Sequence, residues 1–199
     1  MPTTNASKVL QRGSATVDDF LAIPEKQRFH ELIAGSLVQR ASPVWRHQRV
    51  ASGLHGLLFG AYDKPAVKGR RGGWFLLPDV EIRFSARDVF RPDIAGWKRD
   101  QVPSDLDVDA LCTECPAWVC EVLSPGHKRE DTVLKRTRYA QYGVGHYWIV
   151  DPHKRTMTVL QLHGTHYKEV AAFGSEDIAR AEPFAATPIR LARLFAVRN

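Results

Sequence analysis

Ala117-Trp118-Val119-Cys120-Glu121-Val122-Leu123-Ser124-Pro125 is an almost unbroken apolar run carrying a single charge. Its pattern is that of a strand covered on both faces and closed at Ser124-Pro125-Gly126. An ionised carboxylate is costly to bury unless a cation or several donors meet it, so Glu121 requires a partner.

Downstream, Asp131 is placed to cap a helix running to Tyr142, with Gly143 just past its end. His146-Tyr147-Trp148-Ile149-Val150 is a further apolar strand. Strand, helix and strand with short connections imply a parallel pair joined by a right-handed crossover. Upstream, Pro92-Asp93-Ile94-Ala95-Gly96-Trp97 reads as a short strand entered through a proline. Before it, Val80, Ile82 and Phe84 alternate with Asp79, Glu81 and Arg83, the period of a strand with one apolar face.

Towards the N-terminus, Ser42-Pro43 has the form of an N-cap followed by proline, and Val50, Leu54, Leu57 and Leu58 follow at helical spacing. A helix is expected from about Pro43 to Ala61, with His47 on or beside its buried face. Phe29 to Ile33 and Ser36 to Gln39 flank Ala34-Gly35 as a hairpin. Thr16 caps a short helix bearing Val17, Phe20 and Leu21, which Pro24 stops. At the other end, Thr156 to Leu162 and Tyr167 to Ala171 form a hairpin around His163-Gly164. The tail from Pro188 to Asn199 reads as a short helix with Arg190, Arg193 and Arg198. The expected fold class is α/β: a mixed central sheet flanked by helices, with an N-terminal and a C-terminal hairpin.

A chain of 199 residues fits one domain, spanning 1–199 with a core at about 19–171 and a polar segment at 1–14. At 44% hydrophobic and 25% charged it has a globular composition, and no apolar run is long enough to span a membrane. Met1 to Ser14 lacks the pattern of a secretory signal, so a cytoplasmic location is expected. Cys112, Cys115 and Cys120 are odd in number and have no second Cys or His pair at zinc spacing, which favours reduced thiols over a disulfide or a zinc site. A net charge of +6 makes a polyanionic partner plausible without demanding one.

The chemistry lies in an ordered series of Asp93, Glu121 and Lys135. Carboxylates from neighbouring strands can hold a hard divalent cation, and a lysine beside them can orient a water. The helix carrying Lys135 begins where the Glu121 strand ends, so the three can converge. Lys135 also follows Asp131 by four residues, which allows an ordinary ion pair on one helix face. Glu31 and Glu81 are accessory acids or plain surface strand residues, and His47 is either a packed core histidine or a border of the site. Lys68, Arg70 and Arg71, in a glycine-containing loop, and Lys128 and Arg129, just beyond Glu121, are candidates for contact with a phosphate backbone. Trp97, Trp118 and Trp148 suit core packing better than base stacking.

Pro92-Asp93, Cys120-Glu121-Val122-Leu123-Ser124-Pro125, Asp131 with Lys135, Tyr139, Gly143-Val144 and Tyr147-Trp148-Ile149-Val150-Asp151-Pro152 occur in an order that resembles the Uma-two family of "putative restriction endonucleases". That family belongs to the PD-(D/E)xK nuclease superfamily. Glu31-Leu32-Ile33-Ala34-Gly35 and Pro43 with His47 extend the likeness towards the start. The resemblance implies a restriction-endonuclease-like core and a metal-dependent endonuclease acting on DNA. It implies Mg²⁺ or Mn²⁺ held by Asp93, Glu121 and the main-chain carbonyl of Val122, and no organic cofactor. The superfamily pattern places its lysine two residues after the second acid, where this chain has Leu123, so Lys135 becomes the substitute. A catalytically idle nucleic-acid-binding protein is the alternative, and an interaction module built on an ion-pair cluster is a weaker one. A homodimer is expected for cutting two strands.

Overall fold

The apolar run around Glu121 forms a strand buried along its whole length, and the rest of the chain is built around it. The computed structural model describes residues 13–40, 42, 44–103, 111–125 and 130–196, without the side chains of Glu130 and Asp131. In chain order the elements are helix α1 (Val17–Leu21), strands β1 (His30–Ile33) and β2 (Ser36–Gln39), and helix α2 (Trp45–Tyr62). Strands β3 (Trp74–Pro78), β4 (Ile82–Ser85), β5 (Asp88–Phe90), β6 (Ile94–Lys98) and β7 (Trp118–Val122) follow. Helix α3 (Arg136–Gln141) leads to β8 (His146–Asp151), β9 (Thr156–His163) and β10 (His166–Phe173). The chain closes with β11 (Ile178–Ala179), β12 (Ile189–Arg190) and helix α4 (Leu191–Phe195).

The central sheet has strand order β10-β9-β8-β7-β6-β3. Only β7 and β8 are parallel, as their connection through α3 requires, and the other neighbours are antiparallel. Side-chain alternation divides the interior. Trp118, Cys120 and Val122 face a core completed by Val50, Leu54 and Leu58 of α2 and by Phe184, Leu191 and Phe195 of the closing segment. Val119, with the parity of Glu121, faces a second core containing Tyr139 of α3 together with Ile33, Ile82 and Phe90. The sheet is thus flanked by α2 on one side and α3 on the other. Leu54 and Leu58 are fully buried, and truncating either to alanine should cost about 2–5 kcal/mol.

A second sheet, β2-β1-β5-β4, holds the N-terminal hairpin. Its turn places both Ala34 and Gly35 at positive φ, 50° and 72°, the geometry of a two-residue hairpin loop. A Cβ on Gly35 would lie 2.6 Å from the Gly13 carbonyl oxygen, so glycine is required there. Ala34 tolerates its conformation because its N–H donates to Asp88 Oδ1 at 2.7 Å.

Several sequence expectations need correction. Helix α2 starts at Trp45 with Val44 as N-cap and no side-chain cap, not at a Ser42-Pro43 cap; Pro43 lies outside the described residues. Its buried face is His47, Val50, Ala51, Leu54, Leu58 and Tyr62, whereas Leu57 is exposed. Two strands, β3 and β5, escaped the pattern reading because Trp74-Phe75-Leu76-Leu77-Pro78 lacks alternation and β5 has only three residues. The strand begun at Asp79 instead starts at Ile82, since Asp79 turns the chain at φ 53°. The tail is a short strand followed by the five-residue α4 rather than one helix. Core packing continues past Ala171 through Ala179, Ala181 and Phe184. The three tryptophans are core residues, and all three cysteines are free.

Candidate active site

Glu121 finds its partner on the helical segment that follows its own strand. Residues Glu130–Lys135 wind as a π-helix before α3 begins, an irregularity frequent at functional sites. Lys135, at its end, sets Nζ 3.0 Å from Glu121 Oε1 and 2.8 Å from Glu31 Oε2. Tyr139, four residues on and therefore on the same helix face, donates its hydroxyl to the same Glu121 oxygen at 3.0 Å. The side chains of Lys135, Glu121 and Glu31 are 4%, 4% and 6% exposed, so the group is largely buried. Two carboxylates flank one ammonium, and the Arg91 N–H donates to Glu31 Oε1 at 2.6 Å. A buried cluster satisfied in this way avoids the penalty of an isolated charge.

Asp93 sits at a bend where β6 begins. Ile94 pairs with Cys120, so continuing the antiparallel register by one residue sets Asp93 opposite Glu121. The Val122 N–H donates to Asp93 Oδ2 at 2.7 Å, tying this acid to the residue after Glu121. His47, in the first turn of α2, places Nε2 3.2 Å from the same oxygen, while its Nδ1 has no hydrogen-bond partner among the described residues. Burial opposes a charge on this imidazole, but the hydrogen bond and negative charge of Asp93 outweigh it and raise the pKa above the ordinary value. Arg40, just beyond β2, donates to Asp79 Oδ1 at 3.0 Å and lies 3.8 Å from Asp93 Oδ1. Burial acts against its charge as well, and the carboxylates of Glu31, Asp79 and Asp93 more than offset that.

The geometry therefore places Asp93, Glu121, Lys135, Glu31 and His47 in two adjoining groups linked through β7. Glu81 stands apart, paired with Arg28 at 3.4 Å. Lys68, Arg70 and Arg71 belong to the loop after α2, beyond the helix end opposite His47. Lys128, Arg129 and the Asp131 side chain lie outside the described residues. Tyr139, Arg40 and Asp79 were not assigned roles from sequence. The four-residue spacing of Lys135 and Tyr139 was a readable signal for the first, whereas Arg40 and Asp79 carry no motif and meet Asp93 only through the tertiary fold.

Among the described residues, no three His, Cys, Asp or Glu side chains are gathered as a ready-made metal cage. The oxygen donors at hand are two neighbouring carboxylates and the main chain of β7, a hard set suited to an ion that keeps several waters. In a strand, a residue's N–H and C=O face the same neighbour. The carbonyl of Val122 therefore faces the side from which its N–H meets Asp93.

The mixed sheet flanked by helices brings Asp93, Glu121 and the helical Lys135 towards one end of β6 and β7. The chain belongs to the Uma2 family, described as "Putative restriction endonuclease", whose family model matches residues 17–192. Among solved structures it is similar to a "putative nuclease belonging to DUF820" from Anabaena variabilis, with a TM-score of 0.72 and 21% identity over 90% of this chain and 97% of that one. At that identity the likeness speaks for the fold. No curated protein matches the chain.

Proposed function

We propose that the protein is a metal-dependent endonuclease that hydrolyses phosphodiester bonds of DNA at the Asp93, Glu121 and Lys135 cluster. The observation that carries this reading is the pairing of Lys135 with Glu121 at 3.0 Å, although the chain has Leu123 two residues after that acid. The cation arrives from the helix instead of the strand. Asp93, Glu121 and the Val122 carbonyl would hold Mg²⁺ or Mn²⁺. Such an ion, when bound, polarises the phosphodiester and makes water a better nucleophile near neutral pH.

The chain's own residues supply the rest. Lys135 orients the attacking water and stabilises negative charge as the water oxygen bonds to phosphorus and the opposite P–O bond breaks. Glu31 fixes the lysine by its second carboxylate contact, and Tyr139 fixes the Glu121 oxygen that Lys135 also uses. His47 and the Val122 N–H hold the Asp93 carboxylate in place. No helix is long and apolar enough to cross a membrane among the described residues, and the net charge of +6 favours a polyanionic substrate. Cutting both strands would call for two sites, which a two-fold dimer provides.

The test is incubation of supercoiled plasmid and single-stranded DNA with the protein and Mg²⁺ or Mn²⁺, beside Asp93→Ala, Glu121→Ala and Lys135→Ala. Nicking by the wild type and not by the variants is the expected result. Activity persisting in all three variants would sink the assignment. Salt-sensitive DNA binding without cleavage would support the idle binder, which keeps the same buried cluster as a structural ion pair.

A further inference from the structure

At the carboxyl end of α2, Tyr62, Lys64, Arg70, Arg71 and Gly72 line an open recess. Tyr62 lies fifteen residues beyond His47 on the same helix, about 22 Å away at 1.5 Å per residue. The recess is therefore separate from the acid cluster. Among the described residues, Lys64, Arg70 and Arg71 form no ion pair, whereas Arg28, Arg40, Arg91, Arg99 and Arg138 all do. The acid nearest in sequence, Asp63, is committed elsewhere: it pairs with Arg99 and accepts the Leu76 N–H. The negative end of the α2 dipole accounts for part of this cationic preference, but it amounts to roughly half a charge and faces three cations.

The recess is also held in shape. Arg71 donates to Thr187 Oγ1 at 2.8 Å, Thr187 donates to the Tyr62 hydroxyl at 3.1 Å, and Tyr62 donates to the Phe184 carbonyl at 3.2 Å. Thr187 and Tyr62 are both buried, so the chain of hydrogen bonds anchors the guanidinium to the core. The loop closes on itself through the Gly73 N–H and Lys64 carbonyl at 2.6 Å. A Cβ on Gly72 would lie 2.5 Å from the Pro65 carbonyl oxygen, so only glycine permits that closure. Arg71 is anchored, the exposed Lys64 and Arg70 line the same recess, and no acid is among its lining residues; such a cluster is poised for an anion, and guanidinium groups match the geometry of phosphate oxygens.

We infer that the recess of Lys64, Arg70 and Arg71 is a phosphate-binding site, remote from the catalytic cluster. A DNA backbone phosphate and free inorganic phosphate offer the same chemistry to it. The site does not depend on the nuclease reading and stands even if the protein cuts nothing.

The test uses the full chain without added divalent metal, beside Lys64→Gln/Arg70→Gln, which leaves the Arg71 to Thr187 bond intact. Binding of a labelled 20-base-pair duplex is measured across a salt series, and thermal melting is compared in phosphate and in chloride at matched ionic strength. For a backbone site, the double variant binds the duplex about 10-fold more weakly at low salt, and its salt slope falls by about two. If duplex binding is unchanged but stabilisation by inorganic phosphate disappears in the variant, the site stands and its ligand is free phosphate. Unchanged duplex binding together with no phosphate-specific stabilisation of the wild type overturns the proposal.

Discussion

Lys135 Nζ and Glu121 Oε1 lie 3.0 Å apart, each side chain only 4% exposed. A carboxylate buried there with no cation beside it would be costly. Lys135→Met leaves Glu121 and Glu31 facing each other with their shared cation removed, and the expected loss of stability is about 3–5 kcal/mol. Urea unfolding followed by tryptophan fluorescence measures it. The same variant should show no plasmid nicking under conditions where it remains folded. A loss below about 1 kcal/mol would mean that the two acids do not rely on this lysine.

Tyr139 is fully buried, and its ring packs edge-on against Phe90 and Tyr147. Tyr139→Phe keeps that packing and removes only the hydroxyl that meets Glu121. Because the acceptor is charged, the expected cost is about 1.5–3 kcal/mol. Nicking should fall without disappearing, since Lys135 still holds the carboxylate. Full stability in the variant would show that the tyrosine contributes packing alone.

His47 makes stability depend on pH. Its pKa is raised in the folded chain above the ordinary 6.5, so the native state binds the proton more tightly than the unfolded one. The stabilisation is complete below the unfolded value and is lost as pH rises through the folded value. Metal-free wild type should therefore lose stability as pH increases from about 6.5 upward. Asp93→Asn removes the carboxylate responsible for the rise, and that part of the pH dependence should vanish with it. NMR titration of the His47 ring should show the same downward movement of its pKa in the variant. An identical His47 titration in both proteins would contradict the attribution.

The pieces legible in the sequence are those with local causes. The Glu121 strand, the crossover to β8 and both hairpins follow from apolar runs and turn residues, and the structure has all of them. Val50, Leu54 and Leu58 gave the buried face of α2, but not its start, because the hydrogen bonds around Val44 carry no side-chain signature. The demand that Glu121 have a partner could be made from burial alone. That the partner would be shared with Glu31 could not, since β1 belongs to a different sheet and meets the lysine only through the packing of the second core. Arg40 is hidden for the same reason: its tie to Asp79 and Asp93 joins segments far apart in sequence.

Leu123 offers the sharpest test of where the cation must stand. It has the strand parity of Glu121 and is buried, so a lysine there would point to the same side as the acid. Leu123→Lys alone exchanges buried apolar contacts for an ammonium crowded beside Lys135, and the variant should be destabilised by several kcal/mol. Combined with Lys135→Leu, the substitution moves the cation from helix to strand, and stability should recover well above that of Lys135→Leu alone. The double variant's nicking relative to both single variants then reads catalysis separately from folding. Recovery of stability and of nicking together means that the site needs a cation beside Glu121 and is indifferent to the element that delivers it. Recovery of stability without nicking means that the contact with Glu31, which only the helical lysine makes at 2.8 Å, sets the productive orientation. A double variant no more stable than Lys135→Leu would refute the claim that position 123 faces the acid.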